Sequence, residues 1–292
     1  MKIITLTLSP AVDLEYHAAL VNPEGLNRTR EHRISAGGKG INVSRSILRC
    51  AEKKGIPADL KTVAPIGGET GELFRRILAA EGMAISAVPI VENTRVNVSL
   101  IPDEGHSVEI NAPGTPVGDA LSEIENAVLG DLESGDVVVI AGSCPKDVPA
   151  NYPSRLVGKV KEKGAFAVLD CDGKALEFAV QAEVRPDLIK PNREELEGLL
   201  GRKLSGMEEL NAAVNSLNIP TVITTMAGDG AAITENGETA VFPTVKRPVV
   251  RLKGAGDTFL GAFVYAKYVL LESSGDAMLF AGETAGEYVA GE

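Results

Sequence analysis

Residues 136–170 read DVVVIAGSCPKDVPANYPSRLVGKVKEKGAFAVLD. Two apolar runs rich in valine, 136–142 and 165–170, flank a stretch with helical spacing over 151–163. The same unit repeats on either side. A helix over 117–129 leads into the first run. A helix over 173–182 leads to DLIKPN (187–192), and helices over 193–200 and 206–217 lead to TVITTMAG (221–228). Strands that alternate with helices need a crossover each time, which predicts a parallel sheet covered on both faces. Upstream, IITLTLS (3–9) predicts a buried first strand and GGKGINVSRSILRCAEKKG a helix ending at Gly55; LKTVAPIGG reads as strand and turn, followed by a helix over 69–82. Downstream, AAITENG and ETAVFP predict a hairpin around Asn236-Gly237, and two helices close the chain. Residues 14–35, broken by Pro23 and Gly25, and 95–111 do not fit the rhythm. They predict a small second sheet inserted into one domain spanning 1–292.

Composition narrows the function. With 29 basic and 40 acidic residues the net charge is −11, which argues against nucleic acid as a partner. A local cluster of cations can still take an anionic small molecule. No stretch of eighteen apolar residues occurs, so no membrane span is expected. Cys50, Cys144 and Cys171 are far apart and form no C-x-x-C motif, which fits core thiols in a reducing compartment and a cytoplasmic location. His17, His32 and His106 are scattered and read as structural or surface residues rather than metal ligands.

Three short stretches carry chemistry. SAGGKGINVSR (35–45) opens a helix with glycines, which either form a plain turn or let a ligand approach free amides. Lys39 and Asn42 could there hydrogen-bond hydroxyls. IKPNREELEGLL (189–200) places Glu195 three residues after Asn192, the spacing of a capping box. The other reading sets both residues near phosphate-bound Mg²⁺ at the carboxyl edge of the sheet. LKGAGDTFLGAF (252–263) places Gly254, Ala255 and Gly256 before an apolar helix. Asp257 either caps that helix or faces a hydroxyl while the preceding amides hold a phosphate.

Taken together, GAGDTFLGAF, AGGKGINVSR, LTLSPAVD, TRVNVSL, LIKPNREEL and TTMAGDGAAI resemble, in order and spacing, the ribokinase-like (PfkB) carbohydrate kinases. The Lys within GGKG, GLNR (25–28), TRVN and MAGDG are most similar to the branch of 1-phosphofructokinases and tagatose-6-phosphate kinases. The resemblance implies a ribokinase-like three-layer α/β/α sandwich, with a mostly parallel central sheet and a small β-sheet lid. It implies ATP and Mg²⁺ as cofactors, a sugar phosphate as substrate, and a homodimer through the lid. Asp257 would be the general base and Gly254, Ala255 and Gly256 the anion hole. Asp13, Gly37, Gly38 and Asn42 would bind sugar hydroxyls. Lys39, Arg95 and Ser143 would surround the sugar and its phosphate, with Arg28 reaching a phosphate from the lid. Lys190 and Asn192 would serve the nucleotide phosphates, with Glu195 near Mg²⁺, mostly through water. Thr225, Ala227, Gly228, Asp229 and Gly230 would line the nucleotide.

Two departures from that family stand out. Lys253 occupies a position where a small apolar residue is common. The sequence stops at Glu292, before the further helix that relatives place near the nucleotide, so the expectation is either missing adenine contacts or a shortened form of the chain. The activity these motifs imply is phosphorylation of fructose 1-phosphate to fructose 1,6-bisphosphate. Tagatose-6-phosphate kinase is the nearest alternative, a non-catalytic sugar-phosphate sensor is a second, and a Rossmann dehydrogenase, for lack of G-x-G-x-x-G after the first strand, a distant third.

Overall fold

The computed structural model describes residues 1–22, 24–103, 106–244 and 246–292. Pro23, expected to break the first hairpin, and residues 104 and 105 of the 95–111 segment lie outside them. In chain order the strands are β1 (Lys2–Thr7), β2 (Ala11–Ala18), β3 (Glu31–Gly37), β4 (Asp59–Ile66), β5 (Ser86–Pro89), β6 (Val96–Pro102), β7 (Val108–Ile110), β8 (Val137–Ala141), β9 (Phe166–Asp170), β10 (Leu188–Ile189), β11 (Thr221–Thr225), β12 (Ala231–Glu235) and β13 (Glu238–Phe242). The α-helices are α1 (Lys39–Lys54), α2 (Gly68–Ala80), α3 (Leu121–Leu129), α4 (Tyr152–Glu162), α5 (Gly173–Gln181), α6 (Arg193–Leu200), α7 (Met207–Ser216), α8 (Ala255–Val264) and α9 (Ser274–Ala290).

Among the described residues, nine strands form the main sheet in the order β13-β12-β11-β10-β9-β8-β1-β4-β5. All of its pairings are parallel except those of the hairpin strands β12 and β13. β1 lies inside the sheet, with Ile3 opposite Leu60 on one side and Val137 on the other. Strands buried on both faces send alternate side chains to two cores. Ile4, Leu6, Val138 and Ile140 pack with Ile124 of α3, Leu156 of α4 and Leu176 of α5. Ile3, Val137, Val139 and Ile223 pack with Val43 and Ile47 of α1, Phe263 of α8 and Met278 of α9. The three expected layers are present.

The second sheet runs β3-β2-β6-β7, with β2 and β6 parallel and the other pairs antiparallel. Its base rests on the main body, where Val12 and Ala36 join Ile41, Phe74 and Leu78. The apolar run 258–271 is not one regular helix. α8 opens into a π turn over Tyr265–Val269, closed by the Leu270 amide donating to the Tyr265 carbonyl, and Leu271 then takes φ 60°. An i→i+5 bond widens the helix and ends its run.

The parallel strands share one carboxyl edge, the place where open α/β sheets bind ligands. Asp170 ends β9, Lys190 follows β10 and Thr225 ends β11 there.

Candidate active site

Asp257 lies in the first turn of α8, which is buried from Asp257 through Val264. Its Oδ2 accepts a hydrogen bond from Asn42 Nδ2 of α1 at 2.8 Å. The amide of Asn42 is held in that orientation from its other end. Arg45, one turn along α1, donates to Asn42 Oδ1 at 2.8 Å, and its other nitrogens reach the Ala36 carbonyl and Glu81. The helices can approach because Gly261 has no side chain: a Cβ there would lie 2.5 Å from the Val43 carbonyl and 2.6 Å from Ser46 Cβ. Ser46 Oγ also donates to the Thr258 carbonyl at 2.7 Å. Burial, and then the charge of Asp170, push the Asp257 carboxyl up to about 6, against the Asn42 hydrogen bond and the charges of Lys190 and Lys39.

Gly254 caps α8 in the left-handed region, φ 86°, and a Cβ would meet Tyr288 Oη at 2.8 Å. Both facts require glycine there. Tyr288, near the end of α9, donates its hydroxyl to the Lys253 carbonyl at 2.7 Å. Arg251 stacks its guanidinium over the Tyr288 ring at 4.0 Å and donates to the Tyr288 carbonyl at 2.8 Å. Of the three expected anion-hole amides, that of Ala255 instead donates to the Leu252 carbonyl at 3.1 Å. The Gly254, Gly256 and Asp257 amides have no acceptor among the described residues, so the open helix start is shifted toward Asp257. A Cβ on Gly256 would lie 3.6 Å from Lys190 Nζ, so a cation flanks these amides.

Asp170 was not foreseen from the sequence, yet it organises the cations. Its side chain is 1% exposed and holds Lys39 Nζ at 3.4 Å from Oδ1 and Lys190 Nζ at 3.3 Å from Oδ2. Lys39 also lies 3.9 Å from Glu195 Oε1. Burial alone would lower the Lys39 ammonium, but Asp170, then Glu195 and Asp257, hold it above the usual lysine range. The one available signal was an acid ending a strand at the carboxyl edge.

On the opposite wall, Asp13 of β2 accepts from Asn97 Nδ2 at 2.9 Å, and Asn97 in turn accepts from the Ala112 amide. A Cβ on Gly37 would lie 2.1 Å from Asp13 Oδ2, so the glycine leaves the carboxylate room. Gly38 precedes α1, beside Thr7 and Pro10. Arg95, expected around the sugar phosphate, donates instead to the backbone carbonyls of Ser9, Pro10 and Ala112. Ser143 is exposed in the loop after β8. Arg28 is exposed between β2 and β3, with no ion pair among the described residues. Lys253 reaches across to Asp13, Nζ to Oδ1 3.7 Å.

Both halves of the predicted capping box are present: Glu195 N–H donates to Asn192 Oδ1 and Asn192 N–H to Glu195 Oε2, each at 2.8 Å. Asn192 also bridges Thr225. Beyond it, Ala227–Asp229 form a 3-10 turn, and no atom lies within 4 Å of where a Gly228 Cβ would point. The Met226 amide donates to the Gly230 carbonyl across this turn. Among the described residues, no three His, Cys, Asp or Glu side chains group to hold a metal. Among the described residues, no helix is long and apolar enough to cross a membrane.

A buried carboxylate titrating near neutrality, beside open helix-start amides and two lysines, is the equipment of an enzyme that transfers a phosphoryl group to a hydroxyl. The chain belongs to the pfkB family of carbohydrate kinases, whose model matches residues 7–291, and it is a phosphotransferase. It is 34% identical over 298 residues to a 1-phosphofructokinase of Bacillus subtilis, covering 98% of this chain and 95% of the relative. It is 32% identical over 263 residues to a tagatose-6-phosphate kinase of Staphylococcus epidermidis, covering 88% and 82%. A crystal structure of phosphofructokinase-2 from Escherichia coli in complex with fructose-6-phosphate superposes with a TM-score of 0.89 at 27% identity, covering 99% of this chain and 93% of that one. Family membership implies ATP use.

Proposed function

We propose that this protein transfers the γ-phosphate of ATP to a phosphorylated ketohexose, converting fructose 1-phosphate to fructose 1,6-bisphosphate. The observation that carries the reading is the Asn42–Asp257 hydrogen bond at 2.8 Å beside the open amides of Gly256 and Asp257. The sugar hydroxyl lies against Asp257 Oδ1, which takes its proton as the oxygen attacks the γ-phosphorus and the bond from that phosphorus to the β,γ-bridging oxygen breaks, releasing ADP. The charge that develops on the phosphoryl oxygens is met by the amides of Gly254, Gly256 and Asp257 and by Lys190. Asp13, Gly37, Gly38 and Asn42 orient the sugar, and Arg95 acts by holding the Ser9–Pro10 and Ala112 backbones beside it. Ser143 and Arg28 stand at the margin of the sugar phosphate. Thr225 and Ala227 to Gly230 line the nucleotide, with Asn192 next to its phosphates.

Mg²⁺ would screen the phosphate charge. Glu195 would reach it through water, as would Asp170, whose buried Oδ2 faces the Lys190 ammonium at 3.3 Å without an aligned hydrogen bond.

The chain acts as one kinase domain with the small sheet as its lid, and it works in the cytoplasm, where its three free cysteines stay reduced. The lid also supports a homodimer. Ile34, Leu14, Val98 and Ile110 stand side by side across its four strands, and His32, Tyr16, Leu100 and Val108 form the next row. Ile34, Val108 and Ile110 are exposed. Such a face calls for a partner. Light scattering of Ile110→Lys tests it: a dimeric wild type and a monomeric variant are expected, and a monomeric wild type rejects it.

The 32% identity to a tagatose-6-phosphate kinase keeps that substrate as a second reading. Comparing kcat/KM for fructose 1-phosphate, fructose 6-phosphate, tagatose 6-phosphate and fructose decides between them. Free fructose as the best substrate overturns the phosphosugar reading.

A further inference from the structure

We propose that Lys253 is a specificity-determining residue, which leaves Asp13 to bind the phosphate already carried by the sugar. The inference rests on the kinase reading above. Apart from Arg28, which stands exposed on the lid loop, the other cations around the cradle have close partners. Lys39 and Lys190 share Asp170, Arg95 donates to three carbonyls, and Arg45 is held by Asn42, Ala36 and Glu81. Among the described residues the Lys253 ammonium has one charged partner, Asp13 Oδ1 at 3.7 Å, and its side chain is 45% exposed.

The two partners differ in freedom. Asp13 is fixed by Asn97, whereas Lys253 is anchored only at its carbonyl, by Tyr288. The pair joins the loop before α8 to β2, the two walls between which a sugar must lie to touch both Asp13 and Asp257. A sugar that enters there separates the pair. An ion pair this exposed is worth little, so parting it costs little. What matters is what each charge finds next. Sugar hydroxyls satisfy Asp13 in either case. Only a sugar with its own phosphate gives the ammonium a charge-assisted acceptor in return. A neutral sugar leaves Lys253 without one. The exchange therefore favours phosphorylated substrates without disturbing the Asp170 cluster that serves the transferred group.

Lys253→Met and Lys253→Arg test this by steady-state kinetics with fructose 1-phosphate and with fructose, or with tagatose 6-phosphate and tagatose should the panel favour them. Calorimetric titration of the sugar phosphate without nucleotide is the second readout. In Lys253→Met, KM and the calorimetric Kd for the sugar phosphate should each rise about tenfold, the loss of one charge-assisted hydrogen bond. The kcat and the parameters for the free sugar should stay within about threefold of wild type. Lys253→Arg should restore most of the affinity. Unchanged sugar-phosphate affinity overturns the proposal, whether kcat falls, which would place Lys253 on the transferred phosphoryl group, or holds, which would leave it to solvent. A wild-type enzyme that turns over no sugar phosphate overturns the kinase reading and this inference with it.

Discussion

Asn42 and Asp257 stand 215 positions apart in sequence, and the amide of one donates to the carboxylate of the other at 2.8 Å. That bond stabilises the ionised carboxylate and opposes the burial that raises its pKa to about 6. A base must be deprotonated to work, so kcat/KM should rise with pH through about 6 and level off above it. Asn42→Ala removes a contact that favours the charged form. Its profile should move to higher pH, and a pH–rate series on both proteins reads the shift. An unmoved or acid-shifted midpoint would show that another group controls the rate.

Replacing Asp257 by Asn removes the proton acceptor and keeps the shape. Turnover should fall on the order of 10²–10⁴-fold, with sugar-phosphate affinity by calorimetry close to wild type. Near-normal turnover would reject Asp257 as the base.

The same variant has an opposite effect on stability. Because the folded-state pKa lies above the usual carboxylate value of 3.8, the unfolded chain releases this proton first as pH rises. Wild type is spared the burial cost below about pH 4, and it bears that cost fully above about pH 6. Asp257→Asn should therefore melt higher than wild type at pH 8, and the gap should close toward pH 4. Calorimetric melting at the two pH values checks the sign.

Gly261→Ala inserts a methyl group against the Val43 carbonyl and Ser46. Overpacking of this kind costs about 1–3 kcal/mol, which lowers Tm by several degrees. Parting α1 from α8 also lengthens the Asn42–Asp257 bond, so kcat should fall although residue 261 touches no substrate. Retained kcat with lowered Tm would separate the packing from the chemistry.

Tyr288→Phe keeps the ring under Arg251 and deletes the donor to the Lys253 carbonyl. The loop that leads into the α8 amides then loses its tether from α9. A several-fold loss of kcat with Tm nearly unchanged is expected, and a loss confined to Tm would make Tyr288 structural only.

Much of this site could be read along the chain because its signals are local. The three-residue spacing of Asn192 and Glu195 announced a capping box, and both of its bonds are present. Glycines before an apolar run marked the start of α8. Asp170 carried no such mark, since its meaning lies in Lys39, 131 positions away, as much as in nearby Lys190. The family resemblance put Arg95 near the sugar phosphate, and no local signal along the chain announced that its guanidinium donates to three backbone carbonyls. Arg45 sits one turn from Asn42, a spacing that could have been noticed. Tyr288 offered no signal, because its role depends on where α9 ends relative to Lys253. The π turn after α8 was hidden because Tyr265 and Ala266 continue the buried run of the helix without a break.

β1 precedes in sequence both of the strands that flank it in the sheet, β4 and β8. Its partner β8 begins 134 residues later than Ile3, with Val137. Contacts so distant in sequence close slowly, and until they do an apolar edge of IITLT stands uncovered. Pairing along that edge forms late, and helix content should recover on refolding well before catalysis does.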